Sequence, residues 1–240
     1  MTLDGTNTWV LAESGAGCSV VIDPGPNDLG HLETVLAAAT EADRRVGVIL
    51  LTHRHSDHVA GAATFAAMAQ APIRATAPEC RSPGAGGLAE GDRITVDGLD
   101  LQVLATPGHS SDSVCFLLPA DRAVLTGDTI LGRGTTVVAH PDGQLGAYLE
   151  SLGRLQALTR GGVDTVYPGH GPVLPEAERV VDMYLTHRQE RLEQVRAAVA
   201  AGVRGARAVV ETVYADVDPE LWWAAEWSVR AQLEYLGEPL

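Results

Sequence analysis

The sequence predicts an α+β fold in which two β-sheets pack together with helices outside, followed by a helical appendage. Three observations lead there. Apolar strands followed by a helix and a further strand occur twice in the first 172 residues. From Pro175 the texture changes to helical periodicity with no strand-like run. In addition, four strand-like runs each end in a turn carrying His or Asp, so that strand ends from several places can converge on one point. The 240 residues therefore divide into a main unit, 1–174, and a C-terminal helical unit, 175–240.

The elements follow in order. Residues 8–12 and 19–23 read as a hairpin around Gly15 and Gly17. Residues 28–41 have helical spacing through Leu29, Leu32, Val35 and Leu36, with Asn27 or Asp28 as N-cap. The apolar run 46–51 has the character of a buried strand and leads into a helix over about 57–70. Shorter strands are expected at 93–96, 99–105, 114–118 and 123–126, separated by Gly, Pro and Asp turns. A second helix-then-strand unit covers 144–158 and 163–167. Three helices close the chain at 176–201, 206–214 and 220–236, the last rich in Trp.

Composition narrows the function classes. The net charge is −14 and all 17 basic residues are arginine. A general nucleic-acid binder usually shows a basic face, so this acidity weighs against polyanionic substrates. Bound metal ions would offset it locally. No apolar run approaches the ~20 residues needed to cross a bilayer, and no signal-peptide pattern opens the chain. Cys18, Cys80 and Cys115 are odd in number with no CxxC pair, which suits small apolar fillers in a reducing cytoplasm.

The chemistry is concentrated between Thr52 and Gly61, where His53, His55, Asp57 and His58 follow an apolar strand. Three imidazoles and a carboxylate so close together would all need partners if they were merely packed. Later segments repeat the grammar: Thr106-Pro107-Gly108-His109, Thr126-Gly127-Asp128, and Tyr167-Pro168-Gly169-His170. Five of the eight histidines lie in these motifs. Imidazoles suit Zn²⁺, and mixed His/Asp ligands also accommodate Fe or Mn.

The set His53-x-His55-x-Asp57-His58, His109, Asp128 and His170 resembles the metallo-β-lactamase-fold superfamily, and Asp23 in Val20-Val21-Ile22-Asp23-Pro24-Gly25 matches its first motif. The resemblance runs from residue 7 to about residue 172. The flanking text, including Gly5-Thr6-Asn7-Thr8-Trp9, is similar to a narrower group. That group holds a mitochondrial β-lactamase-like endoribonuclease, fungal acyl-carrier thioesterases and many bacterial hydrolases, with glyoxalase II a more distant relative. The resemblance implies a four-layer αββα sandwich as catalytic domain and a winged-helix-like appendage. It implies two Zn²⁺: one held by His53, His55 and His109, the other by Asp57, His58 and His170, with Asp128 bridging. Asp23 would brace the metal-binding loop. In relatives another strand usually precedes the Gly5–Trp9 segment, so a sheet edge is expected to lie open here.

The resemblance and the ligand chemistry together imply a dinuclear hydrolase using a hydroxide held between two metals, with Asp57 orienting it or accepting its proton. An aspartate at position 128 is typical of relatives acting on thioesters, phosphodiesters and similar esters, and points away from β-lactam antibiotics. The first reading is a small thioester or ester substrate. The alternative is single-stranded RNA; a β-lactamase or a non-catalytic metal-binding protein ranks lower. His140 reads as a substrate contact or as an exposed loop histidine, and His31 as a solvated helix residue. His187, Arg188 and Arg191 read as a salt-bridged helix face with Glu190 and Glu193, or as a substrate anchor or a helix docking onto the core. Trp222, Trp223 and Trp227 are expected to pack the appendage onto the body or onto a second copy in a homodimer, with an acyl-chain pocket as the alternative.

Overall fold

A computed structural model describes residues 5–240. The expectation that the strand ahead of Gly5 is lacking falls outside those residues. The first half-sandwich is a four-stranded sheet in the order β1-β2-β3-β4, from Trp9–Leu11, Cys18–Ile22, Arg45–Leu50 and Ile73–Arg74. The second is six-stranded. It comprises β5 (Arg93–Val96), β6 (Leu99–Ala105), β7 (Val114–Leu118), β8 (Ala123–Gly127), β9 (Thr165–Pro168) and β10 (Leu174–Pro175), in the order β10-β9-β8-β7-β6-β5.

Side-chain alternation along these strands builds the layers. Val20, Ile22, Val48 and Leu50 face Leu101, Val103, Phe116 and Leu125 across the space between the sheets. Their neighbours Val21, Ile49 and Leu51 point the other way, onto helices α1 (Leu29–Ala39) and α3 (Ala62–Ala69). On the second sheet Leu104, Cys115, Val124 and Val166 meet Tyr148, Leu152 and Leu155 of helix α4 (Leu145–Arg160). Strands buried on both faces read as continuous apolar runs, which is why 46–51 and 114–118 were legible. Burying each such Leu, Ile or Phe contributes roughly 1.5–3 kcal/mol, so the layer order is fixed by these residues and not by the turns. The result is the αββα sandwich.

Helix α5 (Ala177–Ala200) joins this sandwich to the tail. Its first half places Ala177, Val180, Val181 and Tyr184 in the core shared with α4. Its second half places Val195 and Val199 in a separate core with α6 (Ala206–Val213) and α7 (Trp222–Leu236). No strand follows Pro175 among the described residues. No helix of the described residues is long and apolar enough to cross a membrane.

The expected helix over 57–70 is two pieces, α2 (Ser56–Val59) and α3, broken around Gly61. A Cβ at Gly61 would lie 2.6 Å from the Pro26 carbonyl, and Gly61 N–H donates to Gly25 O at 2.9 Å. The break lets the loop after Asp23 lie against the segment that carries His53, His55, Asp57 and His58. Strands β4 and β10 were not expected; each is two residues long, too short for periodicity to show.

Candidate metal centre

Strands β6, β8 and β9 run in one direction, because β6 and β8 are each antiparallel to β7 and β8 is parallel to β9. Their C-terminal ends therefore deliver His109, Asp128 and His170 to one edge of the sandwich. The end of β3 joins them, as Val114 N–H donates to Thr52 O at 2.9 Å. All seven expected ligands come together there as two trios: His53, His55 and His109, and Asp57, His58 and His170, with Asp128 against both.

In the first trio His55 Nδ1 is 3.0 Å from both His53 Nε2 and His109 Nε2. In the second, His58 Nε2 is 3.3 Å from His170 Nε2, and Asp57 Oδ2 is 3.5 and 3.2 Å from these nitrogens. Asp128 turns one oxygen to each side. Oδ1 lies 3.3 Å from His58 Nε2 and from His170 Nε2, while Oδ2 lies 3.6 Å from His109 Nε2. Ligand atoms ~2.0–2.1 Å from a tetrahedral ion stand about 3.3 Å apart, so this spacing suits cations. Asp128 Oδ1 is buried and makes no well-formed hydrogen bond despite its two imidazole neighbours. An orphaned carboxylate oxygen aimed at imidazole nitrogens is the arrangement a metal completes.

The far side of each ring supports the same reading, because an imidazole that donates from one nitrogen presents the other's lone pair. His58 Nδ1 donates to Asp23 Oδ2 at 2.8 Å, and His170 Nδ1 to Gly5 O at 2.9 Å. His109 Nδ1 meets Val137 O at 2.8 Å and Thr136 Oγ1 at 3.0 Å. His53 Nδ1 reaches Thr52 Oγ1 at 3.0 Å, and that hydroxyl donates to Asp23 Oδ2 at 2.6 Å. Asp23 thus braces one imidazole of each trio. Sequence reasoning missed Thr52 and Thr136, although Thr52 stands directly before His53.

Electrostatics agree with the geometry. Burial would raise Asp57, but the hydrogen bond from His170 and the nearby His58 hold it down at about 2. Asp128 is held well below the ordinary carboxylate value against burial, by the imidazoles of His170 and His58 beside it. His53 and His109 are pushed down chiefly by burial and so kept neutral. Burial opposes charge on His170 too, yet Asp128 and Asp57 push it up to about 10. Ionised carboxylates packed against imidazoles form a site whose protons a cation displaces.

Gly169 permits this packing. A Cβ there would lie 2.5 Å from Asp128 Oδ1 and 2.9 Å from His58 Cε1. We expect Gly169→Ala to lower metal affinity by about 10–100-fold, the range seen when ligand orientation is disturbed. Competition with a chromophoric chelator would measure it; unchanged affinity would show that the two ligands can shift without cost.

The remaining candidates lie elsewhere. His140 Nε2 is 3.8 Å from Glu234 Oε1 on α7 and does not line the cavity at the cluster. Arg188 is buried, stacks over Tyr148 at 5.0 Å and donates to Thr136 O, so it holds the loop that steadies His109. Tyr184, one turn earlier, holds the same loop through Leu131 N–H at 2.8 Å. Arg191 instead donates to Val213 O at 2.8 Å and covers Tyr214. His31 is not simply solvated: its Nε2 donates to Pro24 O at 2.9 Å, beside Asp23. Trp222 packs within the tail's own core instead of onto the body, and Trp223 and Trp227 line the cavity.

A family model described as the metallo-beta-lactamase superfamily matches residues 1–170, and one described as a beta-lactamase associated winged helix domain matches residues 206–238. The chain belongs to the metallo-beta-lactamase superfamily, and is a metal-dependent hydrolase with a C-terminal winged-helix domain. It is 34% identical over 232 residues to the atrochrysone carboxyl ACP thioesterase of Aspergillus fumigatus, covering 92% of this chain and 68% of that protein. It is 29% identical to the beta-lactamase-like protein 2 homolog of Caenorhabditis elegans, covering 95% and 75%. A metallo-beta-lactamase family protein from Thermus thermophilus shares the fold, with a TM-score of 0.78 at 24% identity over 97% of this chain and 88% of that one.

Proposed function

We propose that this chain is a dinuclear hydrolase of a small thioester or ester, with residues 1–174 as catalytic unit and 175–240 closing its cavity. The observation that carries the reading is the pair of ligand trios sharing Asp128, at the floor of a cavity of about 340 Å³. His53, His55 and His109 would hold one cation and Asp57, His58 and His170 the other, Zn²⁺ first by ligand chemistry, with Asp128 offering an oxygen to each. When bound, such cations supply a water-derived nucleophile at neutral pH and stabilise a developing oxyanion.

The chain's own groups do the rest. The Asp57 side chain is 26% exposed against 11% for Asp128, so Asp57 is the carboxylate that reaches incoming water. The carboxylate, steadied by Thr6 Oγ1, which donates to Oδ2 at 3.1 Å, orients that water. Leu131, Val137 and Ala139 wall the cavity and limit solvent access. A thiolate leaves with little protonation, since a thiol pKa is near 8.5, which suits a floor where both carboxylates are ionised. The A. fumigatus relative is named as an acyl-carrier thioesterase, in keeping with this order of substrates. Single-stranded RNA and a homodimer draw no support from the relatives named above.

A metal-quantified preparation should be assayed on acyl-thioesters, S-lactoylglutathione, single-stranded RNA and a chromogenic cephalosporin. Thioester turnover is expected to vanish after dialysis against a chelator and to return with added Zn²⁺, Fe²⁺ or Mn²⁺. Full turnover with less than one metal per chain would overturn the reading. RNA cleavage lost in Asp57→Ala, with no thioester turnover in the parent, would reverse the order of substrates.

A further inference from the structure

The cavity at the metal centre has one wall that the catalytic sheets do not supply. Trp223 and Trp227 lie one turn apart on α7, and both face the space above His55, Asp57 and His170. Their rings meet edge to face, centroids 5.0 Å apart at 84°. They are 47% and 46% exposed, whereas the adjacent Trp222 packs in the tail core and donates its indole N–H to Val217 O at 2.9 Å. Among the described residues neither Trp223 nor Trp227 donates an indole hydrogen bond. Two large aromatic rings left half-exposed inside a concave site, beside a charged floor, are placed for a ligand and not for the core.

The rest of the lining states what kind of ligand. Leu131, Val137 and Ala139 add apolar surface, and among the described residues no arginine lines the cavity. An acyl group bearing a carboxylate or phosphate would find no cation there except at the metal floor. A flat uncharged ring, by contrast, would meet an edge-to-face indole pair at the centroid spacings that aromatic groups favour, about 4.5–7 Å.

We propose that Trp223 and Trp227 form the acyl-specificity wall of the hydrolytic site and select substrates whose acyl group carries an uncharged aromatic ring. The proposal rests on the acyl-hydrolase reading above, and its test is chosen to stand apart from turnover. Two thioethers that cannot be hydrolysed, S-(2-naphthylmethyl)- and S-ethyl-N-acetylcysteamine, would be titrated calorimetrically into the full-length protein, with and without added Zn²⁺. The naphthyl compound is expected to bind at least about tenfold more tightly than the ethyl one. W223A/W227A is expected to erase that preference, and W223F/W227F to keep most of it. Should the alanine pair unfold in a thermal melt, W223L/W227L, which keeps apolar bulk without a π-face, must show the same loss. Equal affinities for the two compounds in the parent protein, or an undiminished preference in both the alanine and leucine pairs, would overturn the proposal. Failure to hydrolyse any thioester or ester would sink the hydrolase reading, while the binding ratio decides the aromatic wall.

Discussion

Replacing Asp128 with alanine is expected to lower kcat/KM by more than about 10²-fold and to leave one metal ion or fewer per chain. Altering a group that merely supports a ligand costs about 10–100-fold in affinity or activity, and a shared ligand should exceed that. The carboxylate faces His58 and His170 with Oδ1 and His109 with Oδ2, so its loss removes a donor from both trios at once. It also removes negative charge that a pair of divalent cations needs, leaving Asp57 as the one carboxylate among five imidazoles at the floor. Asp128→Asn separates these effects, because the amide keeps the shape and one oxygen while losing the charge. Elemental analysis of dialysed protein alongside steady-state kinetics would measure both. Two ions per chain and less than tenfold loss in Asp128→Ala would show that the two trios bind without a shared ligand.

The convergence of these seven His and Asp residues was legible because each follows an apolar strand that local periodicity exposes, and His or Asp beside Gly in such turns has few packing roles. The sandwich was legible for the same reason: 46–51 and 114–118 are apolar on both faces because both faces are covered. What escaped is what depends on distant approach. The break at Gly61 is set by the Pro26 carbonyl, a contact no local pattern announces. The pairing of Asp23 with Thr52 spans 29 residues and can be seen only when β2 and β3 lie side by side. Trp222, Trp223 and Trp227 share one helix, and helical spacing cannot tell a core face from a cavity wall. Helical spacing leaves Arg188 open between a salt-bridged face and a contact docking the helix onto the core, because arginine is usually solvated; α5 sinks it against Tyr148.

Asp23→Asn should test whether the buried brace governs both metal positions. Asp23 is 1% exposed, and every hydrogen bond its side chain makes is as acceptor. Oδ1 accepts from Thr52 N–H at 2.8 Å; Oδ2 accepts from Thr52 Oγ1 at 2.6 Å and from His58 Nδ1 at 2.8 Å. An amide can accept on one side only, so whichever way it turns, an N–H₂ group confronts a donor. Losing a hydrogen bond to a charged group costs about 1.5–3 kcal/mol, and an unsatisfied buried donor adds to that, so a destabilisation of about 3 kcal/mol is expected in urea titrations of the metal-free protein. Metal affinity should fall about 10–100-fold, because His58 loses its orienting partner directly and His53 loses its own through Thr52. Thr52→Val makes the comparison decisive, since it cuts the route to His53 and spares the bond to His58. Under the relay, Asp23→Asn weakens both ions, whereas Thr52→Val weakens the ion of the His53 trio far more than the other. If Asp23→Asn lowers stability but leaves both affinities intact, Asp23 acts on the loop backbone through Thr52 N–H, and the imidazoles are oriented by the protein packed around them.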